Sequence, residues 1–263
     1  MSIARSDFHF SRVYRGDSFA VSLARHEHYL FMRLELKPGM RALEIGCQSG
    51  DAAFELAQFS NVTVVGVDSD PEKISRAIAV SQTAQADGVS FACDYGSLSS
   101  HFAPASFDAI YSIEGLRTVP KIHETMKSIS LLLKPGGKLA IYDWCWTPSL
   151  DINSQDHRRL AHIIEEQAGV GHREIQERTI AGTIDAMVSA NMTVLECGDL
   201  AAAESARNSN WYEPLEIALG SSTGPVSKGI SRECATTLIY AGKHKLFTPL
   251  AFFVCQKPTR VQN

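Results

Sequence analysis

Excess basic charge is missing from this sequence: 25 lysines and arginines face 29 aspartates and glutamates, for a formal net charge of -4. A nucleic-acid binder would carry a basic stripe, so no nucleic-acid partner is expected. Long hydrophobic runs are absent too, and none reaches the length needed to span a bilayer. Residues Met1 to Asp7 lack the apolar stretch of a secretory signal. Six cysteines stand at 47, 93, 145, 197, 234 and 255, and no two have Cys-x-x-Cys spacing. That argues against a zinc site and a disulfide framework. No metal is expected, and a reducing, cytoplasmic setting fits. What is present is an ordinary globular composition in 263 residues, 44% of them hydrophobic. It suits one large domain with additions better than two independent domains.

Apolar residues recur at helical spacing from Ser18 to Leu36, which predicts an amphipathic helix ended by Lys37-Pro38-Gly39. Met40 to Ile45 reads as a short buried strand. The spacing then predicts helices over 51–59, 71–84 and 122–133, alternating with strands over 62–67, 89–93, 107–113 and 138–144. Proline at the start of the 71–84 helix loses no hydrogen bond there. Such alternation predicts the α/β class: a mostly parallel, Rossmann-like sheet with helices on both faces. Beyond residue 146 the pattern changes. Residues 151–176 read as polar with short helical pieces, 179–190 as a covering helix, 192–197 as a strand, 200–247 as mixed, and 250–255 as a final strand. The expected division is a helical cover over 1–36, a cofactor-binding core over 37–146, and substrate-binding insertions with the last strands over 147–263.

The most informative segment is Leu43-Glu44-Ile45-Gly46-Cys47-Gln48-Ser49-Gly50. A strand ends, a glycine turn follows and a helix begins; ligands bind outside the carboxyl ends of strands in such sheets. The second strand ends on Asp68, about 20 residues on, where a carboxylate can accept from both ribose hydroxyls. The dinucleotide fingerprint would fit this spacing, but its middle glycine is Gln48. Glu44 before the turn would repel a pyrophosphate and suits the cationic methionine end of S-adenosylmethionine (SAM). Asp94, after the third strand, can accept from an adenine amino group.

Further stretches resemble the sterol 24-C-methyltransferase family over nearly the whole length: Phe8-His9-Phe10-Ser11-Arg12, Ala24-Arg25-His26-Glu27-His28-Tyr29-Leu30, the Gly46 turn, Leu133-Lys134-Pro135-Gly136-Gly137, Asp143-Trp144-Cys145, Trp211-Tyr212-Glu213-Pro214-Leu215 and Phe247-Thr248-Pro249. The resemblance implies the class I methyltransferase fold. It implies SAM as donor (S-adenosylhomocysteine, SAH, after transfer) and a bulky lipophilic acceptor as partner. On that reading Glu44, Gly46, Cys47, Gly50, Asp68, Ser69, Asp94 and Tyr95 hold the cofactor, and Tyr14 closes over its methionine end. Glu114, His26 and His28 are the candidates for moving a proton. Two histidines two residues apart on a helix cannot share a face. Arg117, Trp144, Trp146, Trp211 and Tyr212 are the candidates for the acceptor wall, aromatic faces being suited to a cationic reaction centre.

The sequence also departs from the family. Gln48 replaces the middle glycine, Asp51 a later one, and Gly115-Leu116-Arg117-Thr118-Val119-Pro120 replaces a Cys-His run. Gly169-Val170-Gly171-His172-Arg173 stands in place of a Gly-Ile/Leu-Pro segment. The expected activity is C-methylation of an isoprenoid, sterol-like or polyketide molecule in natural-product biosynthesis. The alternative is a repurposed fold that cyclises or isomerises such a substrate without methyl transfer. A homodimer and a peripheral membrane contact complete the expected partners.

Overall fold

The computed structural model describes residues 9–84, 86, 88–93, 98–202, 209–221 and 230–259. The order of elements begins with α1 (Phe19–Phe31), a 3-10 turn (Met32–Leu34), β1 (Arg41–Ile45), α2 (Asp51–Ser60), β2 (Thr63–Asp68), α3 (Pro71–Ala84) and β3 (Val89–Cys93). It continues with α4 (Leu98–His101), β4 (Phe107–Ile113), a second 3-10 turn (Gly115–Thr118), α5 (Ile122–Leu132) and β5 (Leu133–Trp146). The last part comprises α6 (Gln155–Gln167), α7 (Ile180–Ser189), β6 (Thr193–Asp199), α8 (Glu213–Ser221), α9 (Arg232–Lys243) and β7 (Phe247–Gln256).

The seven strands form one sheet in the order β3-β2-β1-β4-β5-β7-β6. The first five are parallel, and β7 runs antiparallel to both β5 and β6. Alternate strand residues go to opposite faces. Along β4 and β5, Ile110, Leu139 and Ile141 enter a core with Met126 and Ile129 of α5 and Met187 of α7. Ala109, Tyr111, Ala140 and Tyr142 enter the other, with Leu30 and Phe31 of α1 and Leu56 of α2. A third core gathers Phe10, Trp144, Trp146 and Trp211 with residues of α6, α9 and the start of β7. It sits at the carboxyl end of β5 and forms a cap.

The expected parallel α/β core is present, with most boundaries within a residue or two; β5 starts five residues earlier than expected, and the first helix ends at Phe31 with a 3-10 turn after it. The carboxyl-terminal part differs more. The polar stretch 151–176 contains one regular helix, α6, started by Ser154, whose hydroxyl accepts from the His157 N–H. The mixed stretch 200–247 contains α8 and α9. The final strand is longer than its apolar run and inserts between β5 and β6. The family-like stretch Leu133-Lys134-Pro135-Gly136-Gly137 already belongs to β5, whose register against β4 shifts there.

Candidate functional site

Strand order reverses between β1 and β4, and at such a switch point an open α/β sheet leaves a crevice. The two strand ends meet there through glycines. A Cβ on Gly46 would lie 2.4 Å from Gly115 Cα, and one on Gly115 would lie 2.2 Å from Ile45 O. Neither position admits a side chain without moving a strand end. Ser112 of β4 ties the ends further, its hydroxyl donating to Ile45 O at 2.7 Å.

Beside this junction lies a cavity of about 630 Å³, lined among others by Gly46, Gln48, Asp68, Ser69, Glu114 and Arg117. Its size is that of a small-molecule site. Asp68 is buried at the end of β2; one carboxylate oxygen accepts from the Gln48 N–H and the other from the Asp70 N–H, both at 3.0 Å. Gln48 takes the positive φ (51°) natural to the glycine it replaces. The turn therefore keeps its course, and the Gln48 side chain lines the cavity. Gly50 has φ 89° with the Phe91 ring against it, 2.5 Å from where a Cβ would be. The carboxylate at the β2 end, the side-chain-free junction and the room beside them fit SAM.

Other expected cofactor residues lie nearby in different settings. Glu44 and Cys47 are buried behind the turn, Glu44 against Tyr111. Burial pushes the Tyr111 hydroxyl well above its ordinary pKa, and the Glu44 charge adds to the rise. Tyr14 lies under Arg25, whose guanidinium is 4.5 Å from the ring centre and also pairs with Asp17. Asp94 and Tyr95 lie outside the described residues.

Glu114 ends β4 with φ 58° and has its carboxylate almost fully buried. One oxygen accepts from the Phe10 N–H at 2.6 Å, the other from Arg117 Nη1 at 2.8 Å. Burial raises its pKa, outweighing the opposing pull of Arg117, His9 and the Phe10 N–H. Arg117 also lies 4.7 Å over the Trp144 ring. The three residues thus form one stack: carboxylate, guanidinium, indole.

The two first-helix histidines separate, as their spacing requires. His26 is buried and stacks on Tyr142, with ring centres 3.7 Å apart. Burial, then the neighbouring His9 and Arg12, hold its pKa well below the usual value and favour its neutral form. His28 points away, bonded to Glu55 of α2 at 2.7 Å and half-buried. The four aromatic candidates do not line the cavity. Trp144 and Trp211 pack edge-on and Trp146 tilted around Phe247 at 5.0 to 6.1 Å, and Tyr212 packs against Trp211. Large apolar rings gain most from full burial, so they build the cap's core, and only Trp144 reaches the site, through Arg117.

Sequence reasoning gave no role to His9 and Glu27. His9 Nε2 is 3.0 Å from Glu27 Oε1, and its other ring nitrogen is 3.0 Å from Phe10 O. Burial opposes its protonation, but Glu27, and then the Glu114 charge, raise its pKa on balance. Both residues sit in the family-like stretches, which was the available signal. Arg173 and Arg178 were missed as well. Arg173 pairs with buried Asp143 at 3.2 Å and donates to Leu116 O at 2.8 Å; Arg178 donates to Arg117 O at 3.3 Å and to Gly171 O. Nothing in a single arginine's sequence context foretells such a clamp.

Comparison with known proteins follows the same lines. Residues 36–218 match the methyltransferase domain family, and residues 228–259 the sterol methyltransferase C-terminal family. The sterol 24-C-methyltransferase of Yarrowia lipolytica is 30% identical over 289 residues, covering 96% of this chain and 74% of its own. The cycloartenol-C-24-methyltransferase 1 of Oryza sativa subsp. japonica is 31% identical, covering 95% of this chain and 79% of its own. Among solved structures, the geranyl diphosphate C-methyltransferase of Streptomyces coelicolor A3(2), bound to geranyl diphosphate and SAH, superposes with a TM-score of 0.75 at 15% identity, covering 96% of this chain and 93% of its own. At that identity the likeness is one of fold.

Proposed function

The chain belongs to the sterol 24-C-methyltransferase family of SAM-dependent methyltransferases, and from that premise we propose that it methylates a carbon of an isoprenoid, sterol-like or polyketide small molecule in natural-product biosynthesis. One observation carries the reading: Asp68, the Gly46 turn and the Glu114–Arg117 pair line a single cavity. Donor and acceptor ends are therefore contiguous.

When bound, SAM supplies an electrophilic methyl group on a sulfonium. Asp68 would accept from the ribose hydroxyls, and Gly46 lets backbone approach the donor closely. Glu44 behind the turn contributes negative potential to the cationic methionine end, and Cys47, Gly50, Ser69, Asp94, Tyr95 and Tyr14 complete the proposed cofactor set. Glu114 is the proposed proton acceptor, since a buried carboxylate with a raised pKa is a better base than an exposed one. The division of labour follows: residues 37–146 hold the cofactor, while 1–36 and 147–263 cover the acceptor. Among the described residues no helix is long and apolar enough to cross a membrane. The proposal extends to a cytoplasmic setting, a peripheral contact with lipid and a homodimer, which vesicle flotation and sedimentation would read.

Isothermal titration with SAM and SAH tests the reading. Micromolar binding, on the order of -8 kcal/mol, is expected. Asp68→Asn should weaken it about tenfold or more, the worth of a hydrogen bond to a charged group. A folded protein that takes up neither ligand would overturn the proposal.

A further inference from the structure

Methylating an alkene leaves a carbocation on the acceptor, which needs a carboxylate or an aromatic face free to stabilise it. At the acceptor end of this cavity both are already engaged by a permanent cation. Arg117 Nη1 is 2.8 Å from Glu114 Oε2, and the same guanidinium covers Trp144. A guanidinium does not lose its proton in proteins. While Glu114 is ionised the pair is close to neutral; once Glu114 takes up a proton, the guanidinium beside the cofactor turn is left uncompensated, which opposes a developing carbocation and favours a developing oxyanion.

The backbone that carries the guanidinium is also held in place. The Gly171 N–H and Arg178 Nη1 both donate to Arg117 O, at 2.9 and 3.3 Å. A Cβ on Gly171 would sit 2.2 Å from Thr118 O, so the segment lies directly on the turn that carries Arg117. Arg117 Nε is buried with no hydrogen-bond partner among the described residues. A buried donor left unmade is costly, and a ligand oxygen would satisfy it.

We propose that the acceptor is a lipophilic carbon acid of the β-dicarbonyl type, ionised by Glu114 and held as its enolate by Arg117. This rests on the methyltransferase reading above and names its substrate class. Glu114 takes the proton from the acidic carbon, and the electron pair of that C–H bond is delocalised onto the carbonyl oxygen at Arg117. The carbon then bonds the methyl group, the sulfur keeps the pair of the broken S–C bond, and the proton on Glu114 leaves to solvent.

The test uses the SAH-bound protein and a β-diketone carrying a straight alkyl tail, whose enolate has its own near-ultraviolet band. Ionisation is thus read without methyl transfer. Binding to the wild-type protein should lower the pH midpoint of that band by about one unit, a tenfold shift in the ionisation equilibrium. Arg117→Gln should return the midpoint to its value in buffer, while Arg117→Lys keeps part of the shift. Glu114→Gln should retain the shift, since Arg117 remains, but slow methylation at every pH, because the proton then leaves without a positioned base. An unshifted band on a protein that binds SAH would overturn the proposal, as would an equal shift in Arg117→Gln. Transfer of labelled methyl from SAM to the side-chain double bond of a sterol by the wild-type protein would overturn it while leaving the methyltransferase reading intact. Failure to bind SAH would remove both.

Discussion

Gln48 shows how one residue can depart from a motif and leave its geometry intact. Its φ of 51° lies in the left-handed region, which costs a residue with a Cβ about 1–2 kcal/mol. Gln48→Gly would relieve that strain, offset by about 0.4–1 kcal/mol from the larger freedom of glycine in the unfolded chain. The first effect should win narrowly, giving a stabilisation of about 0.5 kcal/mol in urea unfolding. SAM affinity should hold or rise, because the backbone N–H that serves Asp68 remains. A destabilised variant, or one with weaker SAM binding, would mean that the Gln48 side chain holds the turn or the ligand. Glu114 shares the left-handed conformation at φ 58°. Two such residues beyond the ends of adjacent strands place backbone strain at the cavity they both line, a common location for it. Both were singled out from the sequence, Gln48 as a departure and Glu114 as a base. Their backbone conformation was not readable, because only the packing of Gly46 on Gly115 compels it.

At the scale of elements, the turn Gly115–Thr118 departs from the family and is gripped through the carbonyls of Leu116 and Arg117. Arg173 carries much of that grip, through Leu116 O and the ion pair with Asp143. Both side chains are almost wholly buried. Burying a charge without its partner is costly, so Arg173→Met should destabilise by about 3 kcal/mol in denaturant unfolding. The nearby Arg178 softens the loss; burial, then the Arg173 charge, push its pKa down to about 10. Arg173→Met with Asp143→Leu should recover most of it, since an apolar pair of similar volume can replace a buried ion pair. If the double variant is as unstable as the single one, the guanidinium's bond to Leu116 O matters more than the ion pair. Of this clamp, the sequence showed only that residues 169–173 depart from the family. Partners some 30 and 57 positions away cannot be inferred from local pattern.

For the whole molecule, two buried histidines with ring centres 5.8 Å apart pull the pH dependence of stability in opposite directions. The folded-state pKa of His9 is raised, so its stabilising contribution is present below the unfolded value and is lost as pH rises through the folded one. That of His26 is depressed, so its contribution is present above the unfolded value and is lost as pH falls through the folded one. The two oppose each other in acid. Comparing unfolding free energies at about pH 5 and about pH 8, His26→Gln should reduce the loss of stability on the acid side, and His9→Gln should deepen it. Parallel shifts in both variants would show that neither ring titrates independently in the folded protein. Glu114 acts in the same sense as His9, because burial favours its protonated form and stability from it falls as pH rises through its raised pKa.

The fold class, the parallel core and the place of the cofactor turn were determined by the sequence alone. Each depends on local pattern: strand and helix periods, glycine at the turn, an acid at a strand end. Tertiary structure decided the rest. It set β7 between β5 and β6, sent Trp144, Trp146 and Trp211 into the cap's core, and brought Arg117 onto Trp144. Those outcomes turn on burial and on contacts between residues far apart in the chain. A one-dimensional pattern carries the propensity of each segment, while the partner that satisfies a buried charge or ring is chosen only when the layers pack.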